Sequence, residues 1–331
     1  MPGAIDTPHT NGDAPARRGV YHLTYPRSAS NLFQNMMSKQ PGFQNSGYKL
    51  FDAGFATMTQ LERGPLSQWP EADCKALYES FETAWGKMQD EMDDAQKNGK
   101  QVFIKEHVPF LSAPDRFFRA LHPTDKLDAL FVHERGTTPD KVHTNPTSLP
   151  DTFLLKFQPI FQIRHPVLMF PSLIRAQKDV KCLSDVLGPF SKIMLHLRHT
   201  RELYDWYVAH GATVNVTPRI IDADDIMNSP ETVRLLCKQT GLDPDSVAYE
   251  WESREVKDPL QARFLSTIAA SKGIIPGLAA KGKSVETEQG KWIEEFGEKE
   301  GRLLAKFVES AMPDYEYLYA RRTVAVDGVE P

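Results

Sequence analysis

A run of small hydroxyl residues around one arginine, from Thr24 to Asn31, could bind an anion. It follows an apolar run, Gly19–Leu23, that predicts a buried strand, and it precedes Leu32–Met37, which predicts a helix. In a turn of this kind backbone N–H groups point outward and the helix dipole favours negative charge. The guanidinium of Arg27 adds a fixed positive charge that matches phosphate oxygens in geometry. The segment therefore predicts a site for a phosphorylated ligand, with a simple serine N-cap of the helix as the alternative.

A second polar cluster, Lys105, Glu106 and His107, follows a strand predicted at Gln101–Ile104. A histidine with its ordinary pKa of about 6.5 can take a proton from a hydroxyl group. A neighbouring lysine can stabilise negative charge on a leaving oxygen. The cluster predicts proton transfer and charge stabilisation, with a surface loop of mixed charge as the alternative.

A third cluster consists of Arg164 and Ser172. Arg164 follows a strand predicted at Pro159–Ile163, and Ser172 comes eight residues later, about two helical turns on. Both side chains could reach one phosphate that lies beside the start of the helix. A capping arginine and an unrelated serine form the alternative.

Strands that alternate with helices must position these clusters. Beyond the elements above, the pattern predicts helices at Glu71–Lys97, Pro189–His210 and Pro230–Thr240 and a strand at Thr213–Ile221. The alternation is typical of a three-layer α/β/α fold with a central, mainly parallel sheet covered on both faces. In such sheets ligands bind beyond the carboxyl ends of the strands. We therefore expect all three clusters to meet in one crevice.

Other segments carry weaker patterns. Pro41–Pro70 is predicted to be rich in loops and holds several aromatic residues, and Pro114–Thr152 is predicted to be irregular. We interpret the region around 110–152 as an insertion that covers an acceptor site. The predicted organisation is a disordered tail at 1–18, a single domain at 19–320 and a flexible tail at 321–331.

Composition excludes several function classes. The chain has 331 residues and a formal net charge of −5 without a long basic run, which argues against nucleic acid as a partner. Three cysteines without a CxxC motif support neither a zinc site nor a disulfide framework. No apolar stretch reaches about 18 residues and no secretory signal is evident, so we expect a cytoplasmic protein without a membrane span. The Walker A motif is missing, which argues against a kinase.

Taken together, the three clusters resemble the motifs of sulfotransferases that use 3′-phosphoadenosine 5′-phosphosulfate, in particular the cytosolic small-molecule type. That family's donor loop reads Thr-Tyr-Pro-Lys-Ser-Gly-Thr-Thr and its catalytic segment reads Lys-Thr-His-Leu-Pro. Its 3′-phosphate segment has an arginine and a serine eight residues apart. Later motifs of the family are matched in the same order by Asp224–Asp225, Lys281–Lys283 and Gly290–Phe296, with Ser271–Gly273 as a competing match for the second of these.

The resemblance implies a P-loop-like phosphosulfate-binding loop and sulfonate transfer to a hydroxyl or amine of a small molecule, without a metal. It implies His107 as the general base, with Lys105 and Arg27 stabilising the leaving group, adenosine 3′,5′-bisphosphate. The residues that it implies for donor binding are Arg27, Ser28, Ala29, Ser30, Asn31, Arg164, Ser172, Lys281, Gly282 and Lys283. The implied acceptor has an apolar or aromatic part. A homodimer is one assembly that the resemblance allows, whereas nucleic acid and membrane are not implied as partners.

The chain departs from the family pattern at three loop positions. Arg27 replaces the usual lysine, which keeps the charge and changes its geometry. Ala29 replaces glycine, so we expect a turn that avoids positive φ there. Leu32 stands where many members have a tryptophan that stacks on adenine. These departures leave open a second hypothesis, a protein of this fold that no longer sulfonates and either catalyses another reaction or only binds a ligand.

Overall fold

A parallel β-sheet forms the centre of the molecule. The structure, a computed structural model, describes residues 18–137, 143–178 and 180–325. Within these residues it has five strands: β1 Gly19–Thr24, β2 Phe43–Ser46, β3 Gln101–His107, β4 Phe157–Ile163 and β5 Arg219–Asp222. All pairings are parallel, in the order β2-β3-β1-β4-β5. This confirms the predicted α/β fold with a mainly parallel sheet.

Helices cover both faces of the sheet and complete the three layers. Helices α1 and α11 pack on one face, and helices α3, α9 and α14 pack on the other. In the described residues the helices are α1 Ser30–Met36, α2 Phe51–Met58, α3 Glu71–Lys97, α4 Pro114–Leu121, α5 Asp151–Leu154, α6 Pro166–Ala176, α7 Lys181–Ser184, α8 Pro189–Met194, α9 Arg198–His210, α10 Ala223–Asn228, α11 Pro230–Thr240, α12 Pro259–Ala270, α13 Val285–Phe296 and α14 Glu298–Tyr319.

The strand register brings polar side chains together on the α1 face. In a strand successive side chains alternate between faces, and directly opposite residues of neighbouring strands share a face. Thr24 of β1 lies opposite His107 of β3, and His22 lies opposite Lys105. All four are buried. A strand residue at this depth is usually apolar, so a buried polar column at the carboxyl edge marks the sheet for chemistry.

The structure corrects two predictions of irregular backbone. Pro41–Pro70 contains β2 and α2, and Pro114–Thr152 contains α4 and α5. Glu106 explains α2, because its Oε1 accepts the N–H groups of Lys49 at 2.5 Å and Leu50 at 3.0 Å, where the helix begins. A proline in the first turn of α4, followed by an acidic residue, favours a helix start.

Two predicted elements also have different bounds. The helix predicted at Pro189–His210 is two helices, because the chain turns at residues 195–197 between α8 and α9. The strand predicted at Thr213–Ile221 begins only at Arg219, since Gly211–Val214 forms a 3₁₀ turn and Asn215 has φ 56°. Helices α13 and α14 had not been predicted.

Both predicted tails extend beyond the described part of the chain. Residues 1–17 and 326–331 lie outside the described residues. The start of the C-terminal segment is bound to the domain, because Thr323 N–H donates to Ile220 O at 2.8 Å and Arg322 pairs with Asp225 at 2.8 Å. The flexible tail predicted from residue 321 therefore does not begin there. No helix in the described ranges is long and apolar enough to cross a bilayer.

Candidate active site

A cavity of about 770 Å³ opens at the carboxyl edge of the sheet. Its wall includes residues 26–27 and 29–32, the ends of β3 and β4, and parts of α6, α8 and α12. All three clusters predicted from the sequence contribute to it, through Arg27, Lys105, His107, Arg164 and Ser172. The expected common crevice is therefore present.

The loop after β1 has a strained backbone that neighbouring strands hold in place. Arg27 has φ 69° and Ala29 has φ 64°, both in the left-handed region. The expectation that Ala29 avoids positive φ is wrong. Arg164 Nη1 donates to Arg27 O at 3.0 Å, and Gln162 Nε2 donates to Ser28 O. These tertiary bonds stabilise a turn that the side chains alone would disfavour.

The same loop is not closed by a serine cap. Ala29 is the N-cap residue of α1, and no side chain accepts a hydrogen bond from the first turn. Ser28 is fully buried and its Oγ has no partner among the described residues. The alternative of a simple serine N-cap is therefore wrong. With the carbonyls of residues 27 and 28 bound by the protein, the uncapped N–H groups of the turn are available to an anion.

Arg27 and Arg164 join the loop to the segment that covers it. Arg27 donates through Nε to Ser172 Oγ at 3.0 Å and through Nη1 to Phe264 O at 3.1 Å. Arg164 Nη2 donates to Leu278 O at 3.1 Å, and its Nε has no partner among the described residues. Burial lowers the pKa of both guanidinium groups. Neither arginine has a carboxylate as a hydrogen-bond partner, so both can bind an anionic ligand.

Lys105 provides a third cationic group, buried at the end of β3. Its Nζ donates to Asn31 Oδ1 and lies 4.3 Å from the centroid of the Tyr48 ring. Burial lowers the pKa of Lys105 to about 7, and Arg254 lowers it further while Glu106 opposes the shift. An anion in the cavity would favour the protonated form of this lysine.

His107 is held in one tautomer by Thr24. The Thr24 hydroxyl donates to Glu106 O at 3.0 Å, so its oxygen accepts from His107 Nδ1 at 2.8 Å. The proton therefore resides on Nδ1 and Nε2 carries a lone pair. Burial and the charge of Lys105 lower the pKa of His107 well below its ordinary value, which keeps the ring neutral. A neutral imidazole that lines the cavity can act as a general base.

Beyond His107 the cavity wall is mainly apolar and aromatic. The His107 ring lies 4.6 Å from the Tyr48 ring and 5.8 Å from the Phe110 ring, measured between centroids. The wall continues through Phe51, Phe55, Met58, Phe190, Met194 and Phe264. Of the segment predicted to cover the acceptor site, 110–152, only Phe110 is on the wall; α2, α8 and α12 form the rest of this region.

Not every predicted donor-binding residue reaches the cavity. Lys281, Gly282 and Lys283 lie in the turn before α13, off the cavity wall, and Lys283 is 3.9 Å from Glu288. Ser271 and Gly273, from the competing match, do line it. Among the described residues, no group of three or more His, Cys, Asp or Glu is placed to hold a metal ion.

Sequence reasoning missed three cavity residues that carry polar chemistry: Tyr48, Gln177 and Arg254. Tyr48 OH is 3.2 Å from Ser30 Oγ, and Arg254 is an exposed cation near Lys105. None of them stands at a strand end or in a motif. Only the tertiary fold brings them to the cavity, so no local signal could have found them.

Comparison with known proteins gives two curated relatives. The chain is 33% identical over 341 residues to Sulfotransferase ppzF of Metarhizium majus (strain ARSEF 297), with 94% of this chain and 98% of the relative covered. It is 33% identical over 339 residues to Sulfotransferase ppzF of Metarhizium rileyi (strain RCEF 4871), with 95% and 99% covered. No protein-family model matches. A sulfotransferase domain from the Synechococcus PCC 7002 olefin synthase aligns with a TM-score of 0.37 at 15% identity, over 82% of this chain and 90% of that one.

Proposed function

Because this chain belongs to the sulfotransferase family, we propose that it transfers a sulfonate group from 3′-phosphoadenosine 5′-phosphosulfate to a hydroxyl or amine of a small molecule. One observation carries this proposal. A neutral His107 with an unprotonated Nε2 shares a cavity with the cationic groups of Arg27 and Lys105. Sulfonate transfer requires both a base for the acceptor and positive charge for the leaving group.

The donor would lie along the loop after β1. Arg27, Lys105 and the uncapped turn at residues 29–31 are placed to bind its 5′-phosphate and sulfonate end. Arg164 and Ser172, on the same wall, are candidates for the 3′-phosphate. Ser271 and Gly273 are better placed than residues 281–283 to assist them, because only the former line the cavity.

In the proposed reaction the acceptor oxygen attacks sulfur while its proton passes to His107 Nε2. A bond forms between that oxygen and sulfur. The bond between sulfur and the oxygen of the 5′-phosphate breaks, and its electron pair stays on that oxygen. The products are the sulfonated acceptor and adenosine 3′,5′-bisphosphate. Lys105 and Arg27 stabilise the charge that develops on the departing phosphate oxygen.

Calorimetry with adenosine 3′,5′-bisphosphate against ATP tests the donor assignment. The bisphosphate should bind more tightly than ATP, with no requirement for magnesium. Arg27→Met should weaken its binding by about 10-fold to 100-fold, the loss of one charge-assisted contact. Arg302→Met, an exposed arginine of α14, is the matched control and should leave binding unchanged. Tighter binding of ATP would contradict the proposal.

A turnover assay with a panel of phenols and amines tests the chemistry. His107→Ala should lower kcat by about 10²–10⁴ without weakening bisphosphate binding. The matched control is His122→Ala, since His122 at the end of α4 does not line the cavity. Full turnover by His107→Ala would exclude this histidine as the base. Bisphosphate binding without any sulfonated product would favour the second hypothesis, a protein of this fold that no longer sulfonates.

A further inference from the structure

Gln177 presents a buried amide without a partner in the cavity. It is the C-cap residue of α6 and is only 6% exposed. Its Oε1 has no hydrogen-bond partner among the described residues, although Gln177 lines the cavity wall. Buried polar atoms are nearly always paired, and leaving one unpaired is costly. A ligand in this cavity could supply the missing partner.

The amide belongs to the apolar part of the cavity rather than to the donor loop. Cys182 of α7 donates to Thr59 O at 3.7 Å, which joins the chain after α6 to the end of α2. Met58, Phe190 and Met194 line this part of the wall. Gln177 comes five residues after Ser172, the partner of Arg27, or about 7.5 Å farther along the helix axis. That length is similar to a fused two-ring system.

We propose that Gln177 determines acceptor specificity by hydrogen bonding to a polar group on the acceptor, at the end remote from the atom that is sulfonated. The inference rests on the proposed function and names the acceptor class more closely. The acceptor is a flat apolar molecule of about two rings with a nucleophilic hydroxyl or amine at one end. The other end carries a group that can donate a hydrogen bond to the Gln177 carbonyl oxygen. A primary carboxamide suits this position best, because it can pair with both polar atoms of the glutamine amide.

A matched pair of naphthols tests the inference. One carries a primary carboxamide at the far end of the rings, and the other carries a methyl ketone of nearly the same shape that cannot donate. Each is titrated by calorimetry into protein saturated with adenosine 3′,5′-bisphosphate. Wild type should bind the carboxamide about tenfold more tightly than the ketone, since the ketone leaves the buried amide oxygen unpaired. Gln177→Leu and Gln177→Met should bind both compounds with equal affinity.

Controls separate this inference from the proposed function. Met194→Leu changes the same wall without changing its polarity and should keep the tenfold preference. If the bisphosphate does not bind, the proposed function fails, and the same two naphthols are then titrated into the free protein. Equal binding of both compounds to wild type, binding of neither, or an unchanged preference in both Gln177 variants would overturn the role of Gln177.

Discussion

At the residue scale, the chemistry depends on a contact between neighbouring strands. Thr24 sits between His107 Nδ1 and the carbonyl of Glu106, and its single hydroxyl proton is used toward the carbonyl. The imidazole therefore has its lone pair on Nε2, where a base is needed. Thr24 touches neither the acceptor nor the donor in the proposed reaction, so it acts as a positioning residue.

Thr24→Val tests this positioning role. Valine fills the same space but cannot accept from Nδ1, so the ring loses its preference for the productive tautomer. We expect kcat to fall by about 10-fold to 100-fold, part of what proton transfer contributes. The affinity for adenosine 3′,5′-bisphosphate should not change, and Thr24→Ser should restore most of the rate. Undiminished turnover by Thr24→Val would show that the tautomer is set elsewhere.

Ala29 gives a prediction whose sign depends on the backbone. A left-handed φ costs a non-glycine residue about 1–2 kcal/mol, whereas glycine adopts it freely. Glycine also costs about 0.4–1 kcal/mol through the entropy of the unfolded chain. Ala29→Gly should therefore stabilise the protein by about 0.5–1 kcal/mol in urea unfolding. Destabilisation of that size would mean that this residue does not hold φ near 64°.

At the element scale, Glu106 connects the sheet to the acceptor wall. Its Oε1 accepts from the two residues before α2, the helix that carries Phe51, Phe55 and Met58 to the cavity. Glu106→Leu leaves these N–H groups without an acceptor and should cost about 1–3 kcal/mol of unfolding free energy. Glu106→Gln keeps an oxygen acceptor and should cost less. Equal stability of the two variants would show that these bonds contribute little to the start of α2.

The same carboxyl group should make stability depend on pH. Burial raises the pKa of Glu106 to about 7, from about 4.3 in an unfolded chain. A raised pKa contributes stability that is fully present below the unfolded value and is lost as the pH rises through the folded value. Wild type should therefore lose stability between pH 4 and pH 7 relative to Glu106→Gln, measured by urea midpoints. Asp222, whose pKa burial also raises to about 7, adds the same trend to both proteins.

How much the sequence predicts also depends on scale. Strands β1, β3 and β4 and helix α3 follow from apolar periodicity, because their burial leaves a regular pattern. Helix α2 does not, since its start depends on a carboxylate 56 residues away along the chain. The conformation of Ala29 was predicted wrongly for the same reason. Local preference argued against positive φ, and bonds from Gln162 and Arg164 to the neighbouring carbonyls prevail over it.

At the scale of the whole molecule, the two C-terminal helices brace the side of the cavity that α6 provides. Arg175 of α6 forms two hydrogen bonds of 2.6 Å with Glu295 of α13. Helix α14 packs on β4, β5 and α6, and its Tyr315 hydroxyl donates to Asp222 at 3.0 Å. Since α6 carries Ser172 and Gln177, the position of α13 and α14 affects both the donor loop and the acceptor wall.

Two glycines of this pair distinguish close packing from simple helix propensity. A Cβ on Gly301 would lie 2.6 Å from Ile293 N and 2.7 Å from Ile293 Cα, whereas a Cβ on Gly290 would meet nothing within 4 Å. Backbone atoms cannot move aside cheaply, so Gly301→Ala should separate α13 from α14. We expect it to cost about 1–3 kcal/mol of unfolding free energy and to weaken bisphosphate binding through α6. Gly290→Ala, in the middle of α13, should instead stabilise the protein by about 0.5–1 kcal/mol. Tryptophan fluorescence during urea unfolding measures both, because Trp292 is buried beside this crossing. If the two variants shift stability in the same direction, the brace does not depend on the close approach at Gly301.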